Sequence, residues 1–574
     1  MDQNKNFVPA GIRNTAIYKE SEPDVRVRRF LTPQRILWKN EGVTGEACLL
    51  KPHEKQTHFN VPEQMVMKNG PAGDGFKPAA VLIDFGVEYH GYVKLFIVGV
   101  NPARVKIRVR FGESAEEAMA ELGGRKNATN DHIDRDQVLD VGFYSMPEIG
   151  PSGFRFVRID LLDPGATLTL MAVSGIFIYR ELEYKGSFHS SDPRLDKIWD
   201  TAAYTVHLNM QEYVWDGIKR DRLVWIGDIH PETSTIQAVF GHDISVEKSL
   251  DLARDESPLP RMMCGISGYS VWWVLVHYGW YMQNGNKEYL AEQRDYLVKL
   301  LEFFKGCIAE DGSEILPDRR LLDWPTDSNP AGIHAGYQGM LAMCFDAGAF
   351  LCDELGETDT AAMCRDCAAK LRTHLPDPNG SKQAAAMLIL AGIAKDNAAR
   401  DLCEMIKKDG AHRISTFFGF YVLQALAELD ETGAALDMVR DFWGAMLDRG
   451  ATTFWEDFNL DWLEGSGRID ELVPEGVKDL HGDYGAYCYI GFRHSLCHGW
   501  ASGPAAFLSR YVLGITPVEP GCKTVRIAPK LGDLRFVEGT SPTPYGSIHV
   551  IHKRNTKGEV VSKIEAPAEV RIIS

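Results

Sequence analysis

Residues 215–232 read WDGIKRDRLVWIGDIHPE and place Asp216, Asp221, Asp228 and Glu232 beside Lys219, Arg220 and Arg222. A solvated helix face would space such charges by three or four, with apolar residues between them. Here two tryptophans and two glycines interrupt the charges, which predicts a loop. A second stretch, 450–458 (GATTFWEDF), sets Glu456 beside Trp455 and is followed by Asn459, Asp461 and Trp462. Asp323-Trp324 repeats the acid–tryptophan pairing. A third stretch, 494–504 (HSLCHGWASGP), offers His494 and His498. A tryptophan beside a carboxylate suits a sugar, whose C–H face stacks on the ring while its hydroxyls bond to the acid. Carboxylates in pairs are also what glycosidic cleavage requires.

Ten of the twelve tryptophans lie between 215 and 500. Trp272, Trp273 and Trp280 share one helical pattern and read as core. Trp225, Trp324, Trp455 and Trp462 lie in loops beside acids and read as pocket walls. No competing chemistry is written in the chain, which lacks a Walker loop, a G-x-S-x-G elbow, H-E-x-x-H and a strand-borne G-x-G-x-x-G. No cofactor or metal is expected.

With 62 basic against 79 acidic residues the formal charge is −17, and no basic run stands out. That balance argues against nucleic acid or an anionic membrane as partner and leaves a carbohydrate as the expected one. The eleven cysteines form no metal or disulfide pattern. The Cys364/Cys367 pair sits in an Ala-rich helical stretch, and free thiols suit a reducing compartment. The sequence opens MDQNKNFVPAG, without an apolar h-region. No run reaches membrane-spanning length. The expectation is a cytoplasmic protein, or a periplasmic or secreted one if a signal has been removed. Oligomeric state is left open.

These stretches need a scaffold to bring them together. At 574 residues two or three domains are expected. Residues from about 20 to 185 read as short strands: 104–111 alternates with Val105, Ile107, Val109 and Phe111 on one face, and 154–162 and 166–182 continue the pattern. At Asp192-Pro193 a helix-start signature appears, and Leu195, Ile198, Trp199, Ala202, Ala203 and Val206 follow at helical spacing. The 3.6-residue period recurs in 272–283, 287–309, 334–355, 359–374, 382–395, 398–408, 413–427, 432–447 and 500–512. After Pro517 strands return, at 524–532 and 546–554. The predicted architecture is multidomain α and β: an N-terminal β-sandwich (1–187), a central (α/α)6 barrel (188–512) and a small C-terminal β-domain (513–574).

On these residues the chain resembles glycoside hydrolase family 78, the α-L-rhamnosidases. The family's acidic loop is matched by Asp216, Arg220, Asp221, Leu223, Trp225, Gly227 and Asp228. Its Thr-Thr-x-Trp-Glu motif is matched by Thr452 to Glu456, and its sugar-contacting histidine by His498 in Ser495–His498. Gly217-Ile218 stands where the family has Cys-Pro, and Asp221 where it usually has Glu. The resemblance implies an inverting hydrolase releasing terminal α-L-rhamnose, with Asp221 as general acid and Glu456 as general base. Asp216, Arg220, Trp225, Asp228, Asp323, Trp324, Trp455, Trp462 and His498 would hold the sugar. Because Asp is one methylene shorter than Glu, Glu232 is an alternative proton donor. Asp221 would need a raised pKa, with Asp216 and Asp228 pushing it up and Arg220 and Arg222 pulling it down. Two other readings stay open: a uronate-directed lyase or unsaturated-uronyl hydrolase using Lys219, Arg220 and Arg222, and a non-catalytic carbohydrate-binding protein.

Overall fold

The computed structural model describes residues 11–13, 15–19, 21–52, 63–317 and 319–574. Between Arg26 and Arg180 the chain is mainly β, and among the described residues nine strands join one sheet, paired antiparallel throughout. The alternation at 104–111 is realised on strand Arg104–Gly112, where Val105, Ile107, Val109 and Phe111 are buried in the sheet's own core. The long strand Ala79–Asn101 pairs along its first part with Arg35–Lys39 and along its second with Thr167–Arg180, while Glu148–Leu161 follows it through both. A single strand thereby binds two sets of neighbours.

The first long helix, Pro193–Asn209, starts where Asp192 predicts. The Asp192 side chain accepts the N–H of Arg194, and Pro193 fills the first turn, where no N–H is needed. Helices Ile229–Val239, Ile244–Asp255, Ser267–Asn284, Lys287–Lys305, Pro330–Leu355, Thr358–Leu371, Lys382–Leu390, Asp396–Lys407, Gly419–Glu428, Thr432–Asp448 and Gly503–Phe507 follow. Cys364 and Cys367 are buried on Thr358–Leu371. Several predicted helices are shorter than their pattern, that over 382–395 ending at Leu390, and two depart most. The one expected from 413 begins later because the Ser415 hydroxyl caps the N–H of Phe418. The one expected over 500–512 breaks into a 3-10 turn, the helix with Pro504 in its first turn, and a π turn at Leu508–Val512. Among the described residues no helix is long and apolar enough to cross a membrane.

After Ile515 the chain forms two small sheets. Ile515–Pro517, Thr524–Ile527 and Arg571–Ile573 make one. Phe536–Thr543, Gly546–Arg554 and Val560–Glu565 make the other, completed by Ser187–Ser190 from just before the first long helix. One apolar core runs from Phe188 through the helices into these C-terminal strands. What the elements leave over is a few long connections, 113–135, 210–228, 306–329 and 449–502, and connections of this length are where binding and catalysis concentrate.

Candidate active site

Two of those connections, 210–228 and 449–502, are stitched together through their backbones. The N–H of Gly499 bonds to the carbonyl of Asp216 (2.8 Å), and Gly217 and His498 form an antiparallel bridge. The N–H of His498 bonds to the carbonyl of Phe454 and that of Glu456 to the carbonyl of Ser495, each at 3.0 Å. The acidic loop also closes on itself, because the Asp216 carboxylate accepts the N–H of Leu223 at 2.9 Å. Gly227 is required where it stands: a Cβ there would lie 2.3 Å from the Tyr269 ring.

The result is a cavity of about 310 Å3 lined by Asp216, Arg220, Asp221, Trp225, Asp228, Trp324, Glu456 and His498, all expected from the sequence. Arg220 stands between the two proposed catalytic carboxylates, its Nη2 2.7 Å from Oε1 of Glu456 and its Nη1 3.1 Å from Oδ1 of Asp221. Oε2 of Glu456 accepts the Ser495 N–H at 3.0 Å. His498 lies between acids, with Nε2 3.0 Å from Oδ2 of Asp228 and Nδ1 3.6 Å from Oε1 of Glu456.

Burial and charge separate the four carboxyls. Burial pushes Glu456 up, but Arg220, then His498 and His494, outweigh it and hold Glu456 below the ordinary carboxylate range. Burial raises Asp216 well above its usual value, Asp228 and Asp221 adding to the effect against His498. Asp228 is raised by burial in spite of its bond to His498. Burial of His498 disfavours its charge, yet Glu456, Asp228 and Asp216 together raise its pKa. For Asp221 the contest left open by the sequence goes to the cations: burial raises it, but Arg220 and His132 bring it below the ordinary range.

Other expected residues stand elsewhere. Asp323 is buried behind the cavity, where its carboxylate accepts from the Ser415 hydroxyl (2.7 Å) and the Trp324 N–H (3.0 Å), so it positions Trp324. Trp455 is 1% exposed and packs edge-on against Phe458; it is core, not wall. Its neighbour Glu456 alone faces the site. Trp462 lines a second depression with Asp457 and Tyr487, and it stacks on Tyr484. Glu232 lies inside helix Ile229–Val239, fully buried. His494 is buried as well, accepting the Asp457 N–H at Nε2.

The structure adds Tyr269, Arg319, Tyr489, Arg493 and Trp500 to the walls. Tyr489 lies under the Arg220 guanidinium (5.3 Å) and accepts the Trp324 indole N–H at 2.9 Å. These residues stand in no acid–aromatic motif; only Trp500, in the His-Gly-Trp run, carried a local signal.

Lys219 turns away from the cavity. Its ammonium lies 3.0 Å from Glu113 and 3.2 Å from Glu117, both fully buried residues just after strand Arg104–Gly112, and bonds to the carbonyls of Phe492 and His494. Glu113 and Glu117, with His481, are also spaced to hold a metal ion, but the ammonium already stands against both carboxylates. Glu113 additionally accepts from the Ser495 hydroxyl (3.1 Å) and the Leu496 N–H (2.6 Å). The cation cluster that kept a uronate-directed reading open is therefore largely engaged inside the protein.

The site is thus a group of carboxylates in an aromatic-walled cavity, carried on the loops of a helical domain. Residues 183–512 match the family described as the bacterial alpha-L-rhamnosidase 6 hairpin glycosidase domain, and 514–573 the bacterial alpha-L-rhamnosidase C-terminal domain; the chain belongs to this family. An alpha-L-rhamnosidase of Formosa agariphila is 24% identical over 446 residues, 70% of this chain and 45% of that protein. The GH78 family rhamnosidase of Bacillus sp. GL1 superposes with a TM-score of 0.73 at 22% identity, covering 92% of this chain and 55% of that one. The Klebsiella oxytoca rhamnosidase with rhamnose bound gives a TM-score of 0.65 at 19% identity over 85% of this chain and 96% of that one. The chain spans about half the length of the curated relatives it matches.

Proposed function

We propose that this chain hydrolyses glycosides or oligosaccharides with a terminal α-L-rhamnose, inverting the anomeric centre. The helices would close as an (α/α)6 barrel between an N-terminal β-sandwich (1–187) and a C-terminal β-domain (513–574). Family membership supports the reaction class. The observation that carries the mechanism is Arg220, whose guanidinium stands between Glu456 and Asp221 and bonds to both. An inverting pair stands roughly 6.5–9.5 Å apart, which admits a water between base and sugar.

Glu456 serves as the base: its low pKa keeps it ionised and able to take a proton from water. Asp221 serves as the acid. Asp216 and Asp228 hold ring hydroxyls, and Trp225, Trp324, Tyr489 and Trp500 enclose the ring. The test is a panel of small glycosides followed by proton NMR, in which β-L-rhamnose appears first from an α-rhamnoside. Release of the α-anomer first would overturn inversion, and an ultraviolet-absorbing unsaturated product would overturn hydrolysis. Asp221→Asn should spare an activated aryl rhamnoside and lose unactivated glycosides.

A further inference from the structure

We propose that His132, carried between strands Arg104–Gly112 and Asp136–Gly142, is a positioning residue for the proton donor, so that the N-terminal sheet takes part in catalysis. This rests on the reading of Asp221 as general acid.

Nδ1 of His132 hydrogen-bonds Oδ1 of Asp221, the same oxygen that Arg220 approaches at 3.1 Å. Among the described residues no hydrogen bond is made to Oδ2, and Asp221 lines the cavity. His132 is held in turn: its Nε2 is 3.3 Å from Asp131, and Asp131 accepts from Nε of Arg493, a cavity residue, at 2.9 Å. His132 and Asp221 have φ of 62° and 53°. Residues other than glycine adopt this left-handed region uncommonly, and do so where the surroundings over-determine them. Here two such residues meet at one hydrogen bond.

The charges facing Asp221 come from every side. Arg220 adjoins it, with Asp216 and Asp228 from the same loop and helix start. His498 faces it from 494–500, and His132 from the sheet, backed by Asp131 and Arg493. Engagement of Oδ1 by His132 and Arg220 assigns the transferable proton to Oδ2. In the reaction Oδ2 gives that proton to the glycosidic oxygen, which keeps the electron pair of the breaking C–O bond. The attacking water bonds to the anomeric carbon and passes its proton to Glu456. The carboxylate left on Asp221 is met at Oδ1 by the imidazole and the guanidinium. An aspartate, whose carboxyl sits one methylene closer to its own loop than a glutamate's, is thus within reach of a side chain from the neighbouring sheet.

The side chain of His132 is 50% exposed, so its variants should fold, and unchanged melting temperatures check this. Expected for His132→Ala is near-wild-type turnover of 4-nitrophenyl α-L-rhamnoside. On methyl α-L-rhamnoside kcat should fall at least about tenfold, with KM little changed. Its alkaline limb should move to higher pH, because burial then raises Asp221 without the His132 hydrogen bond to oppose it. His132→Asn, whose amide nitrogen takes the place of Nδ1, should recover most of the loss. Equal losses on both substrates, wild-type rates on both, or an unmoved pH limb would overturn the proposal alone. A wild-type enzyme that cleaves neither glycoside overturns the rhamnosidase reading and the proposal with it.

Discussion

Arg220 and Glu456 meet at 2.7 Å with side chains only 5% and 3% exposed, so the candidate base is held by a cation that water barely reaches. Breaking such a pair from one side leaves a buried charge without its partner, at about 3–5 kcal/mol. Arg220→Gln should lower the unfolding free energy by that order in urea. It should also raise the Glu456 pKa and move the acidic limb of kcat/KM to higher pH. Because Arg220 depresses the folded-state pKa of Glu456, the stabilisation is present above the unfolded value, about 4.3, and fades as pH falls through the folded one. The stability gap between wild type and variant should therefore close in acid; a gap that is constant with pH would rule out this pairing as its source.

Removing only the base's charge should separate chemistry from binding. Glu456→Gln is expected to reduce kcat about 10²–10⁴-fold with KM nearly unchanged. Near-wild-type turnover would remove Glu456 from the mechanism.

The proposed mechanism requires Asp221 protonated and Glu456 ionised, and both pKa values lie below the ordinary carboxylate range. As pH rises the protonated fraction of Asp221 shrinks, so kcat/KM should be higher at about pH 5 than at pH 8. A profile rising through neutrality would point to a different donor.

Gly227→Ala should strain the wall, since the added carbon falls inside the Tyr269 ring. Overpacking of this kind costs about 1–3 kcal/mol. A lower melting temperature with a raised KM is expected, and an unchanged KM would mean that Tyr269 does not shape the sugar pocket.

Lys219→Met should destabilise by about 3–5 kcal/mol, because Glu113 and Glu117 would face each other without the ammonium. Adding Glu113→Gln and Glu117→Gln should recover part of the loss in chemical denaturation. No recovery would mean that the lysine acts through its contacts to the Phe492 and His494 carbonyls instead.

The change of period from two to 3.6 and back was legible along the chain. So were the three stretches that form the cavity, because each concentrates acids, cations or histidines in a way that no helix face does. Direction was not legible. Trp324 and Trp455 each adjoin an acid, yet one walls the cavity and the other fills the core, a difference set by which side of the local backbone faces inward. Lys219 read as a cation available to a uronate, and its burial against Glu113 and Glu117 could not be seen in its own stretch. His132 could not be found at all, since its meaning lies in a contact made 89 positions away. Tyr269 and Tyr489 likewise become recognisable only once helices and loops are assembled around them.

The ammonium of Lys219 is a counter-ion carried on the backbone, and such an ion can be neither exchanged nor chelated away. It sits next in sequence to Arg220, so the acidic loop takes its place from charges made in the first hundred and twenty residues of the chain. Recombining these helices with a foreign sheet would leave that buried ammonium with the Phe492 and His494 carbonyls but no counter-charge. Any chimera built at this junction should carry Glu113 and Glu117 with the helices they serve.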